Sequence, residues 1–256
     1  MTLDRVFSVD VSAFDLRPAP SSSGSAAVLC LHGLTGTPYE VRPLAEAFAA
    51  RGLRARGPWM AGHERGHEAL ALTRYQDWIE LAERELALLR AEHEKVFVAG
   101  ISMGGLVTLR LAQTSAIDAI VVIGTPLALR PPIPLLARAL RRLMPFQAKR
   151  GSDILEPRAR ARHPGLGAIP LASVTELVQL QAEVLAGLAR IEAPILVAHG
   201  RHDRTAPPKD AVRIHATVSS REKELLYLER SGHVATVDHD GPALALAAAD
   251  FIARRR

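Results

Sequence analysis

Cysteine, aromatic residues and long uncharged runs are all scarce in this chain of 256 residues. Cys30 is the single cysteine, so no disulfide can form within the chain. It lies in an apolar run, Ala26–Leu31, which predicts a buried and unreactive thiol. Aromatic residues make up only 4% of the sequence, so a core must consist mainly of alanine, leucine, valine and isoleucine. The apolar share of 48% is enough to build a full core.

No segment of the sequence contains the roughly 18 uncharged apolar residues that a membrane-spanning helix needs. The first residues, Met1–Arg5, do not resemble a signal peptide, because no apolar stretch of the required length follows them. We therefore expect a cytoplasmic protein. The length allows either one large α/β domain or two small ones.

An excess of basic residues gives the chain a formal charge of +5 and a sequence pI of about 9.9. One interpretation is an anionic partner, such as nucleic acid, a membrane surface or an acidic substrate. The densest basic run, Arg138–Arg162, has only Phe146 as an aromatic residue on which bases would stack. We therefore expect no nucleic-acid partner, and an arginine-rich, solvated surface is the simpler interpretation.

Short apolar runs alternate with longer amphipathic ones along most of the chain. Val, Ile and Leu occupy both faces of the short runs, as buried parallel strands require. The clearest short runs are 26–31, 95–99, 117–123 and 194–199. The helical patterns are 38–51, 75–92, 103–113 and 173–189. This alternation predicts an α/β fold with a mostly parallel central sheet and helices on both faces.

The segment 127–171 interrupts this alternation, because it contains no buried-strand pattern. Apolar residues at helical spacing in Leu135–Met144, with arginines on the opposite face, predict a helix there. Long excursions of this kind are usually functional, so we interpret 127–171 as a small cap or lid inserted into a core of residues 1–126 and 172–256. An ordinary packed helix with a solvated loop is the alternative. The basic amphipathic stretch also allows transient contact with a lipid or micelle surface, although it is short for that role.

The motif GISMG, Gly100–Gly104, directly follows a predicted strand and precedes a helical pattern. A serine on such a sharp turn adopts strained backbone angles, and glycines two residues to either side let neighbouring elements pack close. Its hydroxyl then projects above the sheet, beside the N–H groups of the helix N-terminus. The bare motif also occurs by chance, but in this position it makes Ser102 the candidate nucleophile.

A serine hydroxyl needs a base that accepts its proton, and His233 is the best candidate among the ten histidines. It lies in a loop of small residues after the strand-like run 224–228 and before the final helix. His32 and His199 precede glycines at the ends of predicted strands, where a role in shaping the turn is the better interpretation.

The remaining histidines have simpler interpretations. His63 and His67 have the spacing of a metal-binding pair, but no third ligand is adjacent in the sequence. We therefore expect no metal. Surface positions are expected for His93, His163, His215 and His239.

Asp203 is the candidate acid, because the imidazole needs an acceptor on its second nitrogen to fix the tautomer and stabilise the imidazolium. It follows the predicted strand 194–199 and precedes a helix that starts with proline. A helix cap or a plain surface charge is the alternative at such a position. The chain order Ser102, Asp203, His233 matches the triad order of α/β-hydrolases, so the three positions support one another.

The HGLTG loop, His32–Gly36, follows the first predicted strand of the core. Its glycines let the backbone turn toward the serine. The N–H groups of Leu34 and Met103 would then form an oxyanion hole, where negative charge develops during acyl transfer. The same two residues are the candidate substrate-binding positions. A glycine turn without a role is the alternative.

Three sequence blocks resemble the bacterial carboxylesterase and monoacylglycerol lipase family. They are HGLTGTPYEVRPLAE at 32–46, GISMGG at 100–105 and SGHVATVDHD at 231–240. The resemblance covers nearly the whole chain from about Val28 and is poor across the 127–171 segment. It implies an α/β-hydrolase with a small lid, acting without a cofactor on monoacylglycerols or on short- to medium-chain acyl esters.

Residue by residue, the family's nucleophile, acid and base match Ser102, Asp203 and His233. Its oxyanion donors match Leu34, where relatives often carry phenylalanine, and Met103. The basic stretch Arg158–Arg162 departs from the pattern, because relatives that cleave monoacylglycerols tend to carry mixed or acidic residues there. General esterase activity is therefore a firmer expectation than recognition of glycerol.

Other reactions use the same three side chains. Thioester hydrolysis, C–C bond hydrolysis and cofactor-free perhydrolysis are alternatives within the fold. A non-catalytic ligand-binding protein on a hydrolase scaffold and a basic surface-binding protein are alternatives from other classes. Dehalogenases and epoxide hydrolases need aspartate where Ser102 stands, so those activities are not expected. The sequence predicts no particular oligomeric state.

Overall fold

A seven-stranded sheet is the centre of the fold. The computed structural model describes residues 9–18, 26–149 and 151–256, so Met1–Arg5 lie outside the described residues. The strands of this sheet are β1 (Phe14–Leu16), β2 (Ala26–Leu31), β3 (Arg54–Gly57), β4 (Lys95–Ile101), β5 (Ile120–Ile123), β8 (Ile195–Gly200) and β9 (Lys223–Leu228). Their order across the sheet is β1-β3-β2-β4-β5-β8-β9, and all neighbours are parallel except β1, which is antiparallel to β3.

Helices cover both faces of this sheet. Those of the core are α1 (Arg42–Ala50), α2 (His67–Ala71), α3 (Tyr75–Glu92), α4 (Met103–Ala112), α7 (Leu171–Gly187), α8 (Lys209–Thr217) and α9 (Gly241–Ala253). Short 3-10 turns occur at Pro38–Val41, Leu188–Arg190 and Ala235–Val237. Among the described residues, no helix combines the length and the apolar content that crossing a membrane requires.

Each face of the sheet carries its own core, because successive side chains of a strand point to opposite sides. In β2, Leu29 packs with residues of α3, α4 and α7, whereas Cys30 packs with residues of α1 and α9. The Cys30 thiol is fully buried, and burial raises its pKa. The predicted α/β class, the mostly parallel sheet and the buried thiol are confirmed.

Strand β3 has no counterpart among the sequence predictions, because its sequence is RARG rather than an apolar run. Arg54 is only 6% exposed, and its guanidinium donates to both carboxylate oxygens of Asp15 in β1 at 2.8 and 2.7 Å. A charged residue thus occupies a buried position near the sheet edge because the neighbouring strand supplies its partner.

The 127–171 segment leaves the sheet after β5 and returns at α7. It contains α5 (Ile133–Leu140), α6 (Pro157–Arg162) and a two-stranded antiparallel ribbon of β6 (Phe146–Ala148) and β7 (Ala168–Pro170). The helix predicted for Leu135–Met144 is therefore present as α5. It begins two residues earlier than predicted, with Pro134 in its first turn, and ends at Leu140. A turn follows it, in which the Met144 N–H donates to Leu140 O.

Candidate active site

Ser102 occupies a tight turn between β4 and α4, with φ 55° and ψ −117°. Its backbone N–H donates to Ile123 O at 2.8 Å, which fixes the turn to β5. A Cβ on Gly100 would lie 2.2 Å from Gly104 O, and a Cβ on Gly104 would lie 2.2 Å from Leu31 O. Neighbouring backbone atoms lie too close to both positions for any side chain to fit. Both residues of the motif must therefore be glycine, as the sequence predicts.

Three side chains named from the sequence meet at the carboxyl ends of the strands. His233 Nε2 lies 2.9 Å from Ser102 Oγ, and His233 Nδ1 lies 2.8 Å from Asp203 Oδ2. The serine follows β4, the aspartate follows β8 and the histidine lies in the loop after β9. They form one continuous hydrogen-bonded chain although 131 residues separate Ser102 from His233.

Asp203 is 5% exposed as a residue and its side chain is fully buried, so the alternative of a plain surface charge is wrong. Burial would raise its pKa, but the charge of His233 and hydrogen bonds from His199, His233 and the Ala206 N–H lower the pKa below its usual range. Oδ1 also accepts from the N–H of Thr205 at 2.8 Å. The carboxylate is therefore ionised at neutral pH, as an orienting group must be.

His233 is 8% exposed. Burial lowers its pKa, but the charge and hydrogen bond of Asp203, helped by the charges of Asp153 and Glu40, raise the pKa above the ordinary value of 6.5. The lowered pKa of Asp203 and the raised pKa of His233 share one contribution, which is the attraction between carboxylate and imidazolium.

His199 is a second imidazole on the same carboxylate, a contact that the sequence does not predict. It is fully buried, and its Nε2 lies 3.1 Å from Asp203 Oδ2 and 3.2 Å from Ala206 O. Both neighbours are acceptors, so Nε2 carries the proton and bridges them. The only sequence signal for this contact was a histidine at the end of the strand that precedes Asp203.

The HGLTG loop lies beside Ser102. Its turn is closed by the Gly36 N–H, which donates to Gly33 O at 3.1 Å, and a Cβ on Gly33 would lie 3.2 Å from Ser102 Cβ. Leu34 follows Gly33 in this turn. Met103 is the first residue of α4, where a helix offers its N–H no internal acceptor.

His32 shapes the start of this loop, as predicted. It is fully buried, its Nδ1–H donates to Gly33 O at 3.0 Å, and its Nε2 accepts from the N–H of Met60 at 3.0 Å. Burial lowers the pKa of His32, so the ring is neutral in this arrangement.

The surface position expected for His163 is wrong. Its side chain is 1% exposed, with Nε2 3.0 Å from Glu40 Oε1 and Nδ1 2.6 Å from Ser152 Oγ. The histidine belongs to the exposed, arginine-rich part of the sequence, and its partner Glu40 is 123 residues away, so no local pattern reveals the contact. His93 and His215 are partly buried, and His239 is exposed.

The two histidines with metal-pair spacing face different neighbours. The ring centroid of His63 lies 4.9 Å from that of His32, whereas His67 stacks edge-on against Phe146 at 4.9 Å. Within residues 9–18, 26–149 and 151–256, His, Cys, Asp and Glu form no group of three or more that would hold a metal ion.

Comparison with known proteins gives concordant matches along the chain. The model of the serine aminopeptidase S33 family matches residues 22–240. A thermostable monoacylglycerol lipase of Bacillus sp. strain H-257 is 34% identical over 240 residues, covering 93% of this chain and 94% of that protein. A carboxylesterase of Bacillus subtilis strain 168 is 29% identical over 228 residues, covering 88% and 91%. A solved structure from work on the metagenome-derived lipolytic enzymes LipS and LipT is 27% identical, with a TM-score of 0.88 and coverage of 96% and 98%.

Proposed function

Because this chain belongs to the serine aminopeptidase S33 family of α/β-hydrolases, we propose that Ser102, His233 and Asp203 are the catalytic triad of a serine ester hydrolase. The similarity to a monoacylglycerol lipase and a carboxylesterase assigns the chain to the ester hydrolases. The observation that carries the proposed triad is the hydrogen-bonded chain from Ser102 Oγ through the imidazole to the carboxylate. Its distances are within reach for proton transfer.

In the acylation step, Ser102 Oγ attacks the ester carbonyl carbon while His233 Nε2 accepts the hydroxyl proton. Asp203 accepts a hydrogen bond from Nδ1–H and stabilises the imidazolium. The N–H groups of Leu34 and Met103 donate to the oxyanion, and these two residues are also the proposed substrate-binding positions. The bond to the alcohol oxygen then breaks, and the alcohol leaves with the proton from His233.

Deacylation repeats the same chemistry with water. His233 accepts a proton from the water as its oxygen attacks the acyl carbon, and the proton returns to Ser102 Oγ when the carboxylic acid leaves. Every proton passes through one imidazole. The 127–171 segment is the proposed cap above this site, inserted into the hydrolase core of residues 1–126 and 172–256.

The proposed substrates are short- to medium-chain acyl esters and monoacylglycerols. A monoacylglycerol, the methyl ester of the same fatty acid and the matching acyl thioester would be compared by kcat/KM, with a diketone as the C–C bond substrate. We expect both oxygen esters to be turned over, within about tenfold of each other, because α6 presents basic rather than acidic side chains. A thioester or diketone preferred by more than that factor would instead identify a thioesterase or a C–C bond hydrolase.

The exposed side chains of α5 and of the turn that follows it, up to Met144, are the proposed contact with a lipid or micelle surface. Leu135 and Leu143 are 70% and 83% exposed, and Ile133, Leu136 and Met144 are also exposed. The neighbouring arginines, Arg138, Arg141 and Arg142, are exposed as well. An apolar patch with adjacent positive charge is suited to an anionic lipid surface.

Replacing both leucines of this patch, Leu135→Ser with Leu143→Ser, should weaken binding to anionic phosphatidylglycerol vesicles by about tenfold or more, because less apolar surface enters the bilayer. Vesicle co-sedimentation at two salt concentrations measures this. Leu72→Ser is the matched control, since Leu72 is 86% exposed but follows α2. Equal binding of the double variant and the control would contradict the proposal.

A further inference from the structure

Glu40 is a buried carboxylate directly behind the HGLTG loop, in the turn Pro38–Val41. It is 4% exposed, and its Oε2 accepts from the N–H of Gly33 at 3.0 Å. A Cβ on Gly36 would lie 2.2 Å from the same oxygen. A Cβ on Gly33 would lie 3.3 Å from Glu40 Oε2 and 3.2 Å from Ser102 Cβ. The carboxylate therefore contacts both glycines of the loop, and one of them, Gly33, also lies close to the reacting serine.

A negative charge at this place would oppose the reaction if it were not compensated. Acyl transfer creates an oxyanion beside Ser102, and like charges repel strongly where water is excluded. The carboxylate of Glu40 is nevertheless fixed there by the Gly33 N–H. The site therefore needs positive charge on the other side of Glu40.

The 127–171 segment supplies that charge. His163 Nε2 lies 3.0 Å from Glu40 Oε1, and Ser152 Oγ holds the opposite ring nitrogen at 2.6 Å. Burial would raise the pKa of Glu40, but the hydrogen bond and charge of His163, with the charge of Lys149, lower the pKa to about 2. The carboxylate is thus ionised and paired with groups that come mainly from this segment.

Thr35 is held from the same segment. It is 3% exposed and has φ 59°, a left-handed conformation that a β-branched residue rarely adopts. Its carbonyl oxygen accepts from the Leu166 N–H at 2.8 Å, and its Oγ1 accepts from Lys149 Nζ at 3.1 Å. Both donors lie in 127–171, so this segment keeps the residue after Leu34 in a strained conformation.

We propose that the 127–171 segment positions the oxyanion hole. Its Lys149 and His163 neutralise Glu40, and Lys149 together with the Leu166 peptide holds Thr35. The Leu34 N–H is thereby kept aimed at the oxyanion. Glu40, Lys149 and His163 are positioning residues, since they act through the loop. The inference rests on the proposed role of Leu34 in the ester hydrolase.

His163→Leu removes the hydrogen bond and the countercharge while keeping an apolar side chain. We expect kcat on a water-soluble ester to fall about tenfold, with KM within about twofold, because the oxyanion exists only during the reaction. Affinity for a trifluoromethyl ketone, which forms the same oxyanion on the serine, should fall by the same factor. Rates are normalised by fluorophosphonate titration of the serine, so a loss of folded protein does not enter.

Charge compensation is tested by repeating the substitution in a Glu40→Gln background. Glutamine keeps an acceptor for the Gly33 N–H but carries no charge. In that background His163→Leu should therefore lower kcat by less than about threefold. Arg160→Leu, at an exposed position of α6, is the control for loss of a cation from the segment.

Two results would overturn the inference. One is an equal loss of kcat from His163→Leu in both backgrounds. The other is a lowered Tm with unchanged kcat and unchanged affinity for the ketone. A Ser102→Ala variant with full turnover would instead overturn the proposed triad, so the two failures are separate.

Discussion

Ser102→Ala is expected to lower kcat for ester hydrolysis by about 10⁴-fold or more, because no other group replaces the attacking oxygen. Initial rates on a p-nitrophenyl ester measure this loss, and covalent labelling by a fluorophosphonate should disappear with it. The hydroxyl is small and the alanine methyl keeps the Cβ, so Tm should change little.

Ser219→Ala is the matched control, since that hydroxyl is exposed and donates to Ala189 O at 2.7 Å rather than to any residue of the proposed triad. It should keep the wild-type rate and the label. Ester turnover by the Ser102 variant at more than about a tenth of the wild-type rate would show that another nucleophile operates.

Asp203→Asn is expected to lower kcat by about 10⁴-fold, because the amide cannot both accept the Nδ1–H of His233 and stabilise the imidazolium. The acidic limb of kcat/KM should also move. In the wild-type enzyme Asp203 raises the pKa of His233 above 6.5, so activity is lost as the pH falls through that raised value. Without the carboxylate, burial still lowers the pKa of His233 and only weaker charges raise it. The acidic limb therefore shifts to lower pH.

The residual activity of this variant would be followed from pH 5 to pH 9 on the same ester. Asp153→Asn is the control, since the charge of Asp153 raises the pKa of His233 less strongly than that of Asp203. A small shift of the limb, in the same direction, is expected for it. An acidic limb at the same pH in Asp203→Asn and wild type would mean that His233 is not the titrating base.

The sheet and the candidate site differ in how far the sequence predicts them. Strands such as β2 and β5 are continuous apolar runs, so their burial is visible in the sequence itself. The positions of Ser102, Asp203 and His233 follow from loops at the ends of such strands, and the structure brings these side chains together. Their catalytic roles stay a proposal.

Buried charged pairs are the part that the sequence does not predict. Glu40 and His163 each occur in a polar surrounding, and only the folded chain brings them within 3.0 Å. Arg54 is hidden in the same way, since its partner Asp15 lies on another strand. A charged residue is normally exposed, so a local pattern assigns it to the surface unless its distant partner is known.

The single cysteine has a practical consequence for measuring distances between the 127–171 segment and the rest of the chain. Cys30 is fully buried in the sheet and burial keeps its thiol protonated. Thiol-alkylating reagents therefore have no native cysteine to react with among the described residues. A cysteine introduced at exposed Arg138 in α5 would therefore carry a fluorophore or spin label alone. A second one at exposed Lys209 would allow a distance between α5 and α8 to be measured without first removing a native cysteine.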